Sequence, residues 1–152
     1  MKNKKIYIVA STFYKQLIDQ MVQGAINEVD IVVNNSTNNV KIVKVPGAFE
    51  IPGMINCIIE NRRSITKPPD LILALGVLIK GESDHFEYIS SSVSNSISQL
   101  TITTNVPIIF GILTVHDMNQ AIERAYISKK NKGGEAMKTG LEMLKLYDEY
   151  QK

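Results

Sequence analysis

With 152 residues, the chain is long enough to form one domain, spanning residues 1–152, and to bury a core without disulfides or a structural metal. Its 44% hydrophobic and 21% charged residues argue against a disordered segment and against a coiled coil. The net charge of +2 comes from 17 basic and 15 acidic side chains spread along the chain. Such a chain offers no broad field to nucleic acid or a membrane surface, so we expect small-molecule partners.

Short apolar runs rich in β-branched residues alternate with longer stretches of helical spacing, which predicts βα units. In chain order, the predicted elements are strand Ile6–Ala10, helix Tyr14–Glu28, strand Val40–Val45, helix Ala48–Arg62, strand Leu71–Ile79, helix Asp84–Thr103, strand Pro107–Leu113, and helices Asp117–Ser128 and Gly133–Tyr150. Strands that are apolar on both faces belong in a parallel sheet covered by helices on each side. We therefore predict an α/β three-layer sandwich around a central four-stranded parallel sheet.

Other features of the chain bear on its compartment and its loops. Cys57 is the only cysteine, so we expect no internal disulfide, a buried thiol and a reducing, cytoplasmic compartment. The polar segments Asn34–Asn39 and Lys67–Asp70 predict surface loops. The first apolar run is too short for a signal peptide, and the longest, Leu71–Ile79, is far below the ~20 residues of a membrane helix.

Each predicted strand is followed by polar or aromatic residues. These are Ser11–Tyr14, Pro46–Glu50, Lys80–His85 and Thr114–His116. In open parallel sheets the ligand site lies at the carboxyl ends of the strands, so we expect one cleft to collect all four segments.

The segment after the third strand suits an anion. Gly81, Glu82 and Ser83 lead into a helix whose free amides and dipole favour a phosphate, although Ser83 or Asp84 can equally serve as a simple helix cap. His85 can exchange a proton near neutral pH, which suits acid/base work on carbonyls and imines. Taken singly, His85 and His116 are better explained as surface histidines or as histidines with satisfied hydrogen bonds.

Other candidates also have two explanations. Arg124 and Lys132 flank the turn between the last two helices, where they would bind a phosphate or form part of a solvated basic run. Phe13 and Phe49 would stack on a flat heterocycle or pack in the core. Glu50 would accept hydrogens from ligand hydroxyls or stabilise a helix start. Two histidines without a cysteine pair argue against a metal site, and we expect no cofactor.

Several linked segments resemble the lumazine synthase family in order and spacing. They are VPGAFEIP at Val45–Pro52, ALGVLIKGESDHF at Ala74–Phe86 and FGILT at Phe110–Thr114, with Gln120–Ala125 and Asn131–Ala136 extending the similarity almost to the carboxyl end. The resemblance covers nearly the whole chain and implies a flavodoxin-like fold. It also implies condensation of 5-amino-6-ribitylaminouracil with 3,4-dihydroxy-2-butanone 4-phosphate, giving 6,7-dimethyl-8-ribityllumazine and phosphate, with no metal or nucleotide.

The same resemblance implies roles for individual residues. His85 corresponds to the proton-transfer residue, and Arg124 to the arginine that binds the sugar phosphate with help from Glu82 and Ser83. Phe13 corresponds to the ring that stacks on the pyrimidine, and Lys132 to a nearby lysine. Two further groups match the ribityl-binding segment, Ala48, Phe49 and Glu50, and the ring pocket, Val77, Leu78, Ile79 and Phe110.

The resemblance further implies a homopentamer, which in some members assembles twelvefold into a hollow capsid, and riboflavin synthase as the user of the product. The lack of inserted residues between Arg124 and Asn131 favours the capsid. The chain departs from the family where Thr12-Phe13-Tyr14 replaces a frequent Arg-Phe-Asn, and where Asp84 adds a negative charge beside the phosphate segment.

Two other α/β classes fit the sequence less well. A flavodoxin-type carrier needs a glycine-containing phosphate loop after the first strand, and Ser11–Lys15 has no glycine. A phosphoacceptor signalling domain needs a carboxylate cluster at the end of that strand to hold magnesium, and the same segment has none.

Overall fold

The computed structural model describes residues 4–33, 39–60 and 69–151 of the chain. The elements follow in the order β1 (Ile6–Ser11), α1 (Lys15–Val33), β2 (Val40–Val45), a 3-10 helix (Ala48–Glu50), α2 (Ile51–Glu60), β3 (Leu71–Ile79), α3 (His85–Thr103), β4 (Ile108–Val115), α4 (Met118–Ala125) and α5 (Lys132–Tyr150).

The four strands form one parallel sheet in the order β2-β1-β3-β4, which confirms the predicted α/β class. In the register, Ile8 of β1 lies between Ile42 of β2 and Leu73 of β3. The central strand β1 is buried along its whole length. β2, at one edge, exposes Lys41 and Lys44, so the expectation that every strand is apolar on both faces is wrong there. Charged side chains on an edge strand discourage pairing with another sheet.

Two hydrophobic clusters cover the two faces of the sheet, which confirms the three layers. On one face, α1, α4 and α5 pack against β1 and β3 through residues such as Met21, Ala121 and Met137. On the other face, α2 and α3 pack through residues such as Ile55 and Ile97. None of the described helices is both long enough and apolar enough to cross a membrane.

Most differences from the predicted elements lie at element ends. α1 continues past Glu28 to Val33, because Val29 adds a buried turn below Met21 and Ala25. α4 ends at Ala125 rather than Ser128, because Tyr126 adopts extended backbone angles. Cys57 is exposed, so its expected burial is wrong.

The two predicted loops lie largely outside the described residues, which include neither Asn34–Asn38 nor Lys67–Pro68. At the edge of the second loop, Pro69 is buried. The Asp70 carboxylate accepts a hydrogen bond of 2.7 Å from the backbone amide of Lys5. The residues just before β3 therefore help to fix the start of β1.

Candidate active site

A cleft of about 340 Å³ opens at the carboxyl ends of β1, β2 and β3, and we call it the strand-end cleft. Its volume is within the range of small-molecule sites. Its lining residues are Phe13, Tyr14, Gly47, Ala48, Phe49, Glu50, Val77, Leu78, Ile79, Gly81, Ser83, His85, Phe86 and Ile89. Nine of the residues predicted from the sequence are therefore brought together here.

Phe13 projects from the backbone that leaves β1. The amides of Thr12 and Phe13 donate hydrogen bonds of 2.8 and 3.2 Å to the carbonyls of Val45 and Pro46, which fixes this segment beside the end of β2. The Phe13 ring is nevertheless 64% exposed, and that of Phe49 is 54% exposed. Core packing, the alternative explanation for both rings, is therefore wrong, and both offer apolar surface to a ligand.

Glu50 has a structural contact and retains a free oxygen. Its Oε2 accepts a hydrogen bond of 2.9 Å from the amide of Gly47, which stabilises the start of the 3-10 helix. The other carboxylate oxygen makes no hydrogen bond to a described residue and remains available to a hydroxyl. Ala48 and Val77 are buried beneath this point and form an apolar floor.

The start of α3 lies at the mouth of the cleft, with His85 as its first residue. Asp84 is at the N-cap position, but its side chain accepts no capping hydrogen bond, and the Ser83 hydroxyl makes none to a described residue. The simple capping role is therefore not seen. First-turn amides without a side-chain cap are available to an anion, and the helix dipole favours negative charge there.

The charges around this helix start are largely paired or negative. Lys80 Nζ donates a hydrogen bond of 2.8 Å to Glu87, which raises the pKa of Lys80 and lowers the pKa of Glu87. Both groups are solvated, so the pair adds little stability, but it joins the residue before Gly81 to the first turn of α3. Of the described residues that line the cleft, none is a lysine or an arginine. A bound phosphate would therefore lack a cationic partner from the lining.

The remaining predicted site residues lie elsewhere. Phe110 and Lys132 line a separate space of about 260 Å³ between β4 and α5, which we call the β4 cleft. Phe110 is 42% exposed there, and Lys132 Nζ forms an ion pair of 2.7 Å with Glu135. Arg124, in the last turn of α4, lines neither cleft and makes no ion pair with a described residue. Glu82 is exposed and lines neither cleft.

The fourth strand end also lies apart. Thr114 and His116 line a third, open space against the serine-bearing face of α3, so the expectation that one cleft collects all four strand ends is wrong. Conversely, Phe86 and Ile89 line the strand-end cleft but were not predicted to do so, and Tyr14 was expected there only as part of the Ser11–Tyr14 segment, with no role of its own. The position of Tyr14 shortly after a strand could have identified it as a cleft residue. The position of Ile89, one helical turn from His85, could have done the same.

Among the described residues, no three His, Cys, Asp or Glu side chains are grouped so that they could hold a metal ion. The chemistry available from the cleft lining is therefore proton exchange at His85, hydrogen bonding at Glu50 and stacking on aromatic rings.

The chain is similar to known proteins over nearly its whole length. Residues 3–148 match the family model described as 6,7-dimethyl-8-ribityllumazine synthase. The 6,7-dimethyl-8-ribityllumazine synthase of Leuconostoc mesenteroides is 36% identical over 147 residues, covering 97% of this chain and 90% of that protein. The proteins of the same name from Yersinia pestis and Yersinia pseudotuberculosis are each 35% identical over 142 residues, covering 93% of this chain and 88% of theirs.

Proposed function

Because the chain belongs to the 6,7-dimethyl-8-ribityllumazine synthase family of transferases in riboflavin biosynthesis, we propose that it condenses 5-amino-6-ribitylaminouracil with 3,4-dihydroxy-2-butanone 4-phosphate. The products are 6,7-dimethyl-8-ribityllumazine and inorganic phosphate, in the penultimate step of the pathway. The observation that carries this proposal is the strand-end cleft, which places an aromatic ring, a carboxylate and a histidine around the start of a helix. Residues 1–152 act as one domain, and the expected compartment is the cytoplasm.

The pyrimidine binds across the apolar part of the cleft. Phe13 stacks on its ring, since the face of an exposed aromatic side chain suits a flat heterocycle. Val77, Leu78 and Ile79 back the ring from the end of β3. Ala48 and Phe49 contact the ribityl chain, and the free oxygen of Glu50 accepts hydrogen bonds from its hydroxyls.

The sugar phosphate binds at the start of α3, next to Ser83 and His85, and Glu82 assists from the same segment. The pyrimidine amine attacks the ketone and forms an imine with loss of water, and phosphate is then eliminated. The resulting enol tautomerises to a ketone, and the second amine attacks this carbonyl group and closes the ring with loss of a second water. His85 takes up and returns the protons that these steps move among nitrogen, oxygen and carbon atoms, and the cleft contributes by positioning both substrates.

Phe110, Arg124 and Lys132 complete this site from a second copy of the chain. The strand-end cleft has no lysine or arginine in its described lining, whereas Arg124 has no ion-pair partner among the described residues. Phe110 is exposed on β4, the strand at the free edge of the sheet. A homopentamer that sets this edge of one copy against the strand-end cleft of the next would supply both the missing cation and a second ring wall.

The proposal predicts that the purified chain mixed with both substrates produces the fluorescent lumazine product. Mixtures without the chain and without the butanone phosphate are the controls, because the uncatalysed condensation and spontaneous products of the pyrimidine would appear there. Riboflavin binding without product formation would instead identify a flavin carrier. Light scattering on the same sample distinguishes the pentamer from the capsid, and product transfer to added riboflavin synthase tests that partner.

A further inference from the structure

Tyr14 is a bulky residue in a backbone conformation that side chains with a Cβ rarely adopt. Its φ is +57°, in the left-handed region, and Asn131 is the only other described residue with a positive φ. Asparagine tolerates this region, whereas a tyrosine there is strained. Strained residues of this kind persist where the surrounding structure holds the backbone in the unfavourable conformation, and they are concentrated at functional sites.

The backbone on both sides of Tyr14 is anchored. Before it, the Phe13 amide is bonded to the Pro46 carbonyl at 3.2 Å. After it, the Tyr14 carbonyl accepts hydrogen bonds from the amides of Leu17 and Ile18, at 3.0 and 3.2 Å, which start α1. The turn between β1 and α1 is therefore made at Tyr14 itself, and it directs the preceding side chain toward the cleft.

The Tyr14 ring lies between the core and Phe13. It packs against the hydrophobic cluster formed by β1, β3 and α1, and both Tyr14 and Phe13 line the strand-end cleft. The two rings meet edge to face, with centroids 4.8 Å apart and planes at 83°. Because the Phe13 ring is mostly exposed, this contact restricts its rotation on the side toward the core.

We propose that Tyr14 is a positioning residue for the pyrimidine, which it serves by holding the Phe13 ring in the orientation that stacks on the bound heterocycle. The inference rests on the proposed function, because that function identifies the heterocycle. A ring that is already oriented loses less rotational freedom on binding. The tyrosine is retained for its ring, despite a backbone that would suit asparagine better.

The test compares Tyr14→Asn with Tyr14→Phe in the full chain. Asparagine fits the left-handed backbone but removes the ring, whereas phenylalanine keeps the ring and removes the hydroxyl. We expect Tyr14→Asn to raise the KM for the pyrimidine roughly 2- to 10-fold, the size expected from loss of an aromatic pair. The kcat and the KM for the butanone phosphate should stay within about twofold. The thermal midpoint of Tyr14→Asn should change little, because relief of the backbone strain offsets the loss of the ring's contacts with the core.

A second readout is independent of turnover. Riboflavin has a fused ring and a ribityl chain, and stacking quenches its fluorescence, so titration with riboflavin measures the ring contact directly. We expect the Kd for riboflavin to rise by the same factor in Tyr14→Asn and to be restored in Tyr14→Phe.

Unchanged pyrimidine KM and riboflavin Kd in Tyr14→Asn would overturn the inference. Equal losses in kcat and in both KM values would also overturn it, because they would indicate a general structural role. If Tyr14→Phe binds as weakly as Tyr14→Asn, the hydroxyl contacts the ligand and positioning through Phe13 is wrong. If the parent chain makes no lumazine but its riboflavin binding depends on the Tyr14 ring, the proposed function fails and the positioning role stands.

Discussion

At the scale of single residues, His85 is the one histidine among the described residues that line the strand-end cleft, and an imidazole can act as a general acid or base. Acid/base help from a positioned side chain contributes ~10²- to 10⁴-fold to a rate. We therefore predict that His85→Ala lowers kcat by up to this factor while leaving activity above the uncatalysed reaction, since both substrates are still brought together. Product fluorescence under saturating substrates measures the change.

His116→Ala is the matched control, because it removes the other histidine of the chain. His116 is exposed and lines a different space, together with Thr114 and α3. Its replacement should leave kcat within about twofold of the parent value. Equal losses in the two variants would refute the role of His85.

Several residue predictions depended on exposure, which sequence does not reveal. Phe13 and Cys57 are each plausible in a core, yet both are exposed. The ring of Phe13 lies just beyond the end of β1, where side-chain alternation no longer applies, and Cys57 lies on the outer face of α2. The resemblance, by contrast, named nine of the residues that line the strand-end cleft, although not Phe86 and Ile89 beside His85, and the match over residues 3–148 confirms the family.

At the scale of elements, α1 and α5 approach each other closely through glycine. A methyl group at Gly133 would overlap the carbonyl oxygen of Met21, which is backbone and cannot move aside. We predict that Gly133→Ala destabilises the fold by about 1–3 kcal/mol, the usual cost of overpacking. Thermal unfolding at a fixed scan rate should show a midpoint several degrees lower.

Gly53→Ala gives the control for helix propensity. Gly53 is exposed within α2, and a methyl group there would meet nothing within 4 Å. Alanine is favoured over glycine in a helix by up to ~1 kcal/mol, so this variant should unfold at the same or a higher temperature. A midpoint for Gly133→Ala at or above that of the parent would show that the two helices can separate without cost.

The positions of the strands were predictable because their apolar runs are bounded by turn formers. The C-terminal part of α1 was missed, because the residues from Val29 onward include four β-branched side chains that resemble a strand. Tertiary packing outweighs the strand propensity of these residues. Val29 continues the buried stripe of Met21 and Ala25, so the helix extends through this segment.

At the scale of the whole molecule, the order of the strands divides the predicted site. β4 lies at the edge of the sheet. The residues of β4 and α5 that line the β4 cleft face a different space from the residues at the ends of β1, β2 and β3. The sequence shows that Phe110 follows His85 in the chain, but it does not show which cleft each side chain lines. This division could not be predicted from spacing, since it depends on the three-dimensional order of strands.

The proposed shared site predicts that two impaired variants restore activity to each other. Arg124→Ala alone should raise the KM for the sugar phosphate, because the phosphate loses a bidentate partner. Copies carrying Arg124→Ala retain His85, and copies carrying His85→Ala retain Arg124. When the two are unfolded and reassembled together in equal amounts, about a quarter of the contacts in a ring should join an intact cleft to an intact arginine.

Activity of the reassembled mixture above that of either variant alone supports the shared site. Each variant unfolded and reassembled by itself is the control for recovery of the fold. If the mixture has only the average activity of the two, Arg124 acts within its own chain and the proposed arrangement is wrong.

The separation of the strand-end cleft from the β4 cleft also has a consequence for counting sites. Under the proposed arrangement, a single copy carries two halves of an active site, the strand-end cleft and the β4 edge, that cannot pair with each other. An open row of copies leaves one such half without its counterpart at each end. Only a closed ring matches every half with its counterpart, so that the number of working sites equals the number of copies. Specific activity should therefore rise as rings close, because closure of each ring completes the last of its active sites.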